Sequence, residues 1–347
     1  MSGGVDSSIA AYLTKEQGYA CIGCTMKLYD NADIGVPRSR TCCTLDDVED
    51  AKSVAYRLGM PYYVFNFKDD FCQKVIQKFV DSYEAGITPN PCIDCNRYMK
   101  FDKLYERAKI LDCDYVVTGH YARIEYDGKK FFLKKALDET KDQSYVLYSM
   151  TQEQLAHTLF PLGNMRKTQV RQLADENGFV NAQKPDSQDI CFVPDGNYVG
   201  FLEQYTGKRY PKGEFVDANG NVLGSHKGIV RYTIGQRKGL GLSLPEPMYV
   251  RQIDPKENRI VLGAEQELYQ KEVIAADFNW ISGEVPKDEI RCKAKIRYRQ
   301  KEQWATARAV DDTHVQIQFD EPQRAVTPGQ AAVLYDGDTV LGGGVIK

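Results

Sequence analysis

These 347 residues contain no run of about 18 apolar side chains, so no stretch is long enough to cross a membrane as a helix. The N-terminus has no basic segment followed by an apolar one, so no secretory signal is expected and the chain is expected to be cytoplasmic. Excess positive charge is missing too. With 45 Lys and Arg against 48 Asp and Glu the net charge is −3, and any nucleic-acid surface must be a local patch. The four histidines (His120, His157, His226, His314) show no metal-ligand spacing. Internal repeats, low-complexity segments and coiled-coil heptads are absent. What remains, 42% hydrophobic and 27% charged residues, is the composition of a globular protein, and the length implies two or three domains.

The opening stretch, Met1-Ser2-Gly3-Gly4-Val5-Asp6-Ser7-Ser8, is where the chemistry begins. Two glycines allow a tight turn and bring bare N–H groups close to an anion. Asp6, Ser7 and Ser8 are expected to cap the helix that starts at Ile9. A glycine-rich turn at a helix N-terminus is a phosphate site. A P-loop would continue Gly-Lys-Ser/Thr, yet no lysine precedes Lys15. Such a loop suits pyrophosphate as a leaving group better than a gripped γ-phosphate.

The first half then alternates strand-like and helix-like segments. Strands are expected at 20–26, 62–67 and 115–118, and helices at 46–58, 69–85 and 97–111. This is the signature of a doubly wound parallel α/β sheet, whose ligands sit beyond the C-terminal strand ends. Met26, Asn66 and Gly119-His120 fall on that rim. A strand should precede the phosphate loop in such a domain; its absence would leave two neighbouring strands with unpaired edges and a weakened first domain. Further on come an Asp127-Gly128 hairpin, a Thr-x-x-Gln capping box opening a helix at 151–159, and a helix at 168–177. From about Asp195 the chain turns β-rich. The expected domains are 1–194, 195–275 and 276–347.

Ten cysteines without a secretory signal point to thiol or metal chemistry rather than a disulfide scaffold. Cys21 and Cys24 would project to opposite faces of a strand, and adjacent Cys42 and Cys43 have no assigned role. Cys72, Cys113 and Cys292 sit in apolar patterns as core residues. Cys92 and Cys95 differ: Thr88-Pro89-Asn90-Pro91-Cys92-Ile93-Asp94-Cys95 is a rigid loop entering a helix, whose N-terminus is expected to lower a thiol's pKa. Cys191 lies in a polar loop, Lys184-Pro185-Asp186-Ser187-Gln188-Asp189-Ile190-Cys191-Phe192. Two readings stand. Cys191 carries a persulfide sulfur that Cys95 releases by thiol–disulfide attack, or Cys92, Cys95 and Cys191 hold a [4Fe–4S] cluster with one open iron.

A local basic patch is present. In 291–301 every odd position is Lys or Arg, so a strand there would carry six cations on one face, a phosphate-tracking stripe.

Several stretches in order resemble the tRNA-specific 2-thiouridylase family (MnmA/TrmU type) of PP-loop ATP pyrophosphatases. They are Ser2–Ser8, Thr118-Gly119-His120-Tyr121-Ala122-Arg123, Lys141-Asp142-Gln143-Ser144-Tyr145, Asp186–Phe192, Gly224-Ser225-His226-Lys227-Gly228, Tyr232-Thr233-Ile234-Gly235-Gln236-Arg237 and Thr327-Pro328-Gly329-Gln330. The resemblance covers essentially the whole chain. It implies an adenine nucleotide alpha hydrolase-like first domain, a central β-rich tRNA-contacting domain and a C-terminal β-barrel. It further implies ATP- and Mg²⁺-dependent thiolation of the tRNA wobble uridine, with AMP attached to the C2 oxygen and then displaced by sulfur from a cysteine desulfurase or sulfur-relay protein. Ser2, Gly3, Gly4, Val5, Asp6, Ser7, Ser8, Met26 and Gly119 would then bind ATP, Asp6 lying near Mg²⁺. Asn90, Pro91, Cys92, Lys141, Asp142 and Gln143 would surround the base. His120, Arg297, Tyr298 and Gln330 would contact tRNA, with a structural role as the alternative for His120. Cys95 and Cys191 would be catalytic, forming a disulfide after each turnover. Members of the family often carry aspartate, a proton acceptor, where this chain has Cys92; a thiol supplies no such base and favours the cluster reading. Two competing functions share parts of this pattern. A PP-loop ligase or amidotransferase would not need Cys95, Cys191 or the basic stripe, and a non-catalytic RNA-binding protein with a degenerate nucleotide domain has the missing first strand as its only support.

Overall fold

The computed structural model describes residues 1–30, 45–186, 190–193 and 196–347; Cys42, Cys43, Ser187–Asp189 and Asp195 lie outside them. Its first part is built of parallel pairs. Helix α1 (Val5–Glu16) follows the opening loop, then β1 (Gly23–Lys27), helix α2 (Leu45–Arg57) and β2 (Tyr62–Asn66). β1 pairs in parallel with β2, Gly23 opposite Tyr62 and Lys27 opposite Asn66. A second pair joins β3 (Val116–Val117) to Thr158–Leu159, again in parallel. That second strand lies where a helix was expected to run on to 159. The Thr151–Gln154 capping box does open a helix, but it ends at Ala156, and Leu159 joins the sheet instead.

The two pairs do not hydrogen-bond to each other. Met1 lies at the seam, its amino group donating to the Cys24 carbonyl and its own carbonyl accepting from Thr25 Oγ1 at 2.6 Å. α1 buries Val5, Ile9 and Ala10 against Val170 and Ala174 of the helix Lys167–Glu176, which places the phosphate loop beside that helix's first turn.

The two long helices depart from regular α geometry. Lys68–Glu84 passes through a π-helical turn at Cys72–Ile76, and a helix opening at Pro91, six residues earlier than expected, becomes π-helical over Cys95–Lys103 before finishing at Ile110. Asn90 caps the second helix, its side chain accepting from Cys92 N at 3.2 Å, with Pro91 at the first position where no donor is needed.

The hairpin strands are β4 (Ala122–Tyr126) and β5 (Phe131–Lys135). After the helix Tyr198–Thr206 comes a four-stranded sheet between Gly213 and Gly263. The last part runs through Tyr269–Trp280, Ile290–Lys295, Gln303–Ala309, Val315–Arg324, Ala331–Asp336 and Thr339–Ile346. Antiparallel pairing returns the last of these to the first, closing a six-stranded barrel. Closure removes the exposed strand edges. Val273, Ile317, Phe319 and Leu334 fill its interior. The barrel is tied to the first part by Arg97, which forks onto the Asp277 carboxylate, and by Gln330 Nε2, which donates to Thr88 O at 2.9 Å just ahead of the cysteine-bearing helix.

Candidate active site

A cleft of about 2210 Å³ runs between β1 and β3, from Tyr19–Ile22 and Asp112–Tyr115 ahead of the strands to Met26 and Gly119 at their C-terminal ends, where a parallel α/β sheet puts its ligands. The phosphate loop forms one end. Gly3 has φ +72°, and a Cβ there would sit 2.5 Å from Asp47 O, so only glycine fits. The expected capping by Asp6, Ser7 and Ser8 does not occur. Gly4 is the N-cap residue without a side-chain cap bond, and Ser7 Oγ and Ser8 Oγ instead donate back to Gly4 O at 2.9 and 3.2 Å. These bonds, with Asn181 Nδ2 donating to Gly3 O and Ser8 Oγ, fix the loop's shape while leaving the helix N-terminus uncapped. An uncapped terminus suits an anion.

Gly119 closes the other side of this loop. A Cβ on it would meet Asp6 O at 2.8 Å and Ser7 N at 2.8 Å, all of them backbone. Gly119→Ala is therefore expected to push the loop away and weaken ATP binding about tenfold or more, measured by calorimetric titration, with the fold retained by circular dichroism.

Asp6 points into an ionic cluster that no spacing in the sequence announces. Lys167 Nζ bonds Asp6 Oδ1 and Oδ2 at 2.7 and 2.8 Å and reaches Asp186 Oδ1 at 2.8 Å; Tyr121 donates to Asp6 Oδ1 at 2.8 Å. Asp186 also accepts from Lys141 and Arg171, each at 2.8 Å. Burial raises the Asp186 pKa, but the bonds from Lys141 and Lys167 outweigh it and hold the carboxyl at about 2. One ammonium thus spans two carboxylates, an oxygen set that suits Mg²⁺.

The thiols of Cys92, Cys95 and Cys191 line the same cleft. Cys92 opens onto it and Cys95 sits behind, half-buried. The expected lowering of their pKa is overturned. Desolvation raises both and pushes Cys95 up to about 11, which the charge of Lys100 does not offset. Cys191 is set by its neighbours: Tyr29 donates to its carbonyl at 2.8 Å, and Phe192, buried, packs edge-on against Phe71 and Phe79. Among the described residues no three His, Cys, Asp or Glu side chains are grouped to hold a metal, so Cys92, Cys95 and Cys191 do not fit a cluster as placed.

The remaining candidates divide. Ser2, Gly4, Val5, Met26, Pro91, His120 and Tyr298 line the cleft, whereas Gly3, Ser8, Asn90, Arg297 and Gln330 do not. Lys141, Asp142 and Gln143 line it too, but their polar ends are used inside the protein. Lys141 bonds Asp186, Asp142 accepts from Ala136 N and the Ser144 hydroxyl, and Gln143 Oε1 accepts from Tyr121 N. His120 is buried. Its Nδ1 meets Thr118 Oγ1 at 2.7 Å and its Nε2 meets Lys100 Nζ at 3.3 Å, while burial and the lysine charge hold its pKa well below the ordinary value.

The basic stripe is broken. The strand ends at Lys295, and 296–301 is a bend, so the alternation stops halfway. Arg291 pairs with Asp320 and, with Lys293, lies over the exposed Trp304 ring; Arg297 turns inward to the Ile234 and Ala325 carbonyls. Lys295, Arg299 and Lys301 reach the cleft, where Tyr298 donates to Asp142 O at 3.2 Å.

Comparison with known proteins agrees with this architecture. Family models described as the tRNA methyl transferase HUP domain, the tRNA methyl transferase PRC-barrel domain and the aminomethyltransferase beta-barrel domain match residues 1–195, 199–264 and 270–346. The tRNA-specific 2-thiouridylase MnmA of Clostridioides difficile is 52% identical, covering 100% of this chain and 96% of the relative. That of Acetivibrio thermocellus is 53% identical, covering 100% and 98%. Among solved structures, an NMN synthetase from Francisella tularensis aligns with 60% of this chain and 76% of its own at 18% identity and a TM-score of 0.33, too slight a likeness to bear on the site. With three domain models in order and half of all positions identical over the full chain, the protein belongs to the tRNA-specific 2-thiouridylase family.

Proposed function

We propose that the chain catalyses ATP-dependent 2-thiolation of the wobble uridine of tRNA. The observation that carries this reading is that one cleft gathers an uncapped phosphate loop, Cys95, Cys191 and three cations of the barrel. A ligase acting on a small acid has no use for the last two. The uridine must leave the anticodon stack to enter the cleft. Its C2 oxygen attacks the α-phosphorus of ATP and releases pyrophosphate, whose charge the loop N–H groups hold. Asp6 and Asp186 are the side chains that would hold Mg²⁺, which supplies neutralisation of the triphosphate.

The sulfur step uses this chain's thiols. The outer sulfur of a Cys191 persulfide attacks C2 and expels AMP. The Cys95 thiolate then attacks Cys191 Sγ, leaving the sulfur on C2 as the thiocarbonyl and forming a Cys95–Cys191 disulfide. A small-molecule or protein thiol reduces that disulfide, and a cysteine desulfurase or sulfur-relay protein reloads Cys191. No step is assigned to an iron–sulfur cluster, since the three thiols are not grouped as ligands.

Incubation with ATP, tRNA and a persulfide-charged desulfurase should yield 2-thiouridine and AMP in equal amounts, read by nucleoside mass spectrometry. AMP formed without thiolated tRNA would point to the ligase; neither product, with tRNA still bound, would point to a binding protein.

A further inference from the structure

We infer that the outer face of the barrel around Trp304 is a second docking surface for the tRNA substrate, where an unpaired nucleotide of the loop that carries the target uridine stacks on the Trp304 ring. This surface presupposes the tRNA reading above and adds a contact outside the cleft. The chain has two tryptophans, and they are used in opposite ways. Trp280 is buried in the barrel core, whereas Trp304 is 51% exposed.

In an antiparallel sheet, residues directly opposite each other share a face. Lys293 on Ile290–Lys295 is the direct partner of Trp304 on Gln303–Ala309. Its Nζ lies 5.2 Å from the ring centroid, and Arg291 Cζ lies 4.9 Å from it. Asp320 accepts from both terminal nitrogens of Arg291 and holds the guanidinium beside the ring. Arg308, four residues along the strand from Trp304, emerges on the same side and is exposed. Among the described residues neither Lys293 nor Arg308 pairs with a carboxylate. The face therefore offers a ring with open surface beside cations whose charge is not cancelled.

Its position ties it to the cleft. Lys293 and Lys295 stand opposite Tyr335 and Val333, which are buried against Tyr145 and Leu147 of the first part. The barrel wall thus leaves that contact at the strand of Lys293, and Lys295 already lines the cleft. At about 3.3 Å per residue, Lys293 lies roughly 7 Å beyond Lys295, with Trp304 alongside it. Neighbouring nucleotides of one loop cover such a span when the target base is turned into the cleft. RNA suits this chemistry better than a protein does. Unstacked loop bases stack on aromatic rings whatever their sequence, and free Lys and Arg neutralise phosphates. Arg299 and Lys301 carry the same sign of charge into the cleft, so the backbone meets cations along its whole course.

The test is the intrinsic fluorescence of the full chain, because Trp304 is the exposed one of two emitters. Titration with substrate tRNA should quench it and shield it from acrylamide, and Trp304→Phe should abolish that change while keeping tRNA affinity within about threefold. Trp304→Ala should weaken tRNA binding about tenfold by filter binding, and Lys293→Gln should lower the slope of log affinity against log salt by about one. Unaltered wild-type emission with tRNA bound at saturation overturns the inference, as does full affinity in folded Trp304→Ala. Quenching by the sulfur-donor protein and not by tRNA overturns it too and assigns the face to that protein. Quenching by tRNA that the wild-type chain binds but never thiolates supports the surface and overturns the sulfur-transfer reading alone.

Discussion

Cys191→Ser is expected to lower 2-thiouridine formation by at least about a thousandfold while leaving tRNA affinity within about twofold. Serine is nearly isosteric, but its oxygen cannot carry a sulfur that a second thiol can release. The position itself should survive the change. Cys191 is held through its backbone carbonyl by Tyr29 and through Phe192, whose ring packs among Phe71, Phe79 and Phe201. None of these contacts involves the thiol. ATP-dependent release of pyrophosphate should also persist, because adenylation precedes the sulfur step in the proposed reaction. Filter binding and nucleoside mass spectrometry on one preparation decide the matter. Loss of tRNA binding would make Cys191 a structural residue and remove it from the reaction.

The elements with strong periodicity are legible in the sequence. Helix α2 and strand β2 fall within a residue or two of expectation, because a run such as Val48, Ala51, Val54, Ala55 and Leu58 has one interpretation. Thr158–Leu159 was not readable, since a two-residue strand leaves no pattern and is created by its partner Val116–Val117. The basic stripe misled for a related reason. Alternation continues in the sequence to Lys301, but the strand stops at Lys295, where Arg297 satisfies carbonyls of the central part and the barrel instead of facing solvent.

In the candidate site, the side chains proposed to carry the chemistry, Cys95, Cys191 and Asp6, stand out in the sequence and line one cleft. Those that depend on a partner do not. Lys167 lies 161 residues from Asp6, and Lys100 and His120 are 20 apart with ordinary neighbours, so only the fold pairs them. The thiol pKa failed in the same way. A helix N-terminus is local and visible in sequence, whereas the burial that raises the Cys95 thiol comes from a core assembled from distant parts of the chain, among them Leu28, Phe71 and Phe192.

Asp6→Asn isolates the nucleotide half of the reaction. It is expected to reduce tRNA-dependent pyrophosphate release by about 100- to 1000-fold with tRNA affinity and melting temperature little changed. The amide still accepts from Tyr121, and Lys167 keeps Asp186 at 2.8 Å, so the cluster remains paired while one negative charge at the phosphate loop is gone. Lys167→Met removes the cation both carboxylates share and should lower the melting temperature as well, since two partly buried anions then face each other. The pH dependence fixes the window. Asp186 has its folded pKa at about 2, below the ordinary 3.8, so its contribution to stability is in force above that ordinary value and is lost as pH falls toward 2. At any assay pH from 6 to 8 the Asp186 carboxyl is ionised, and no adjustment of pH in that range should rescue Asp6→Asn. Wild-type pyrophosphate release in that variant would remove Asp6 from the reaction and leave it a support for Lys167.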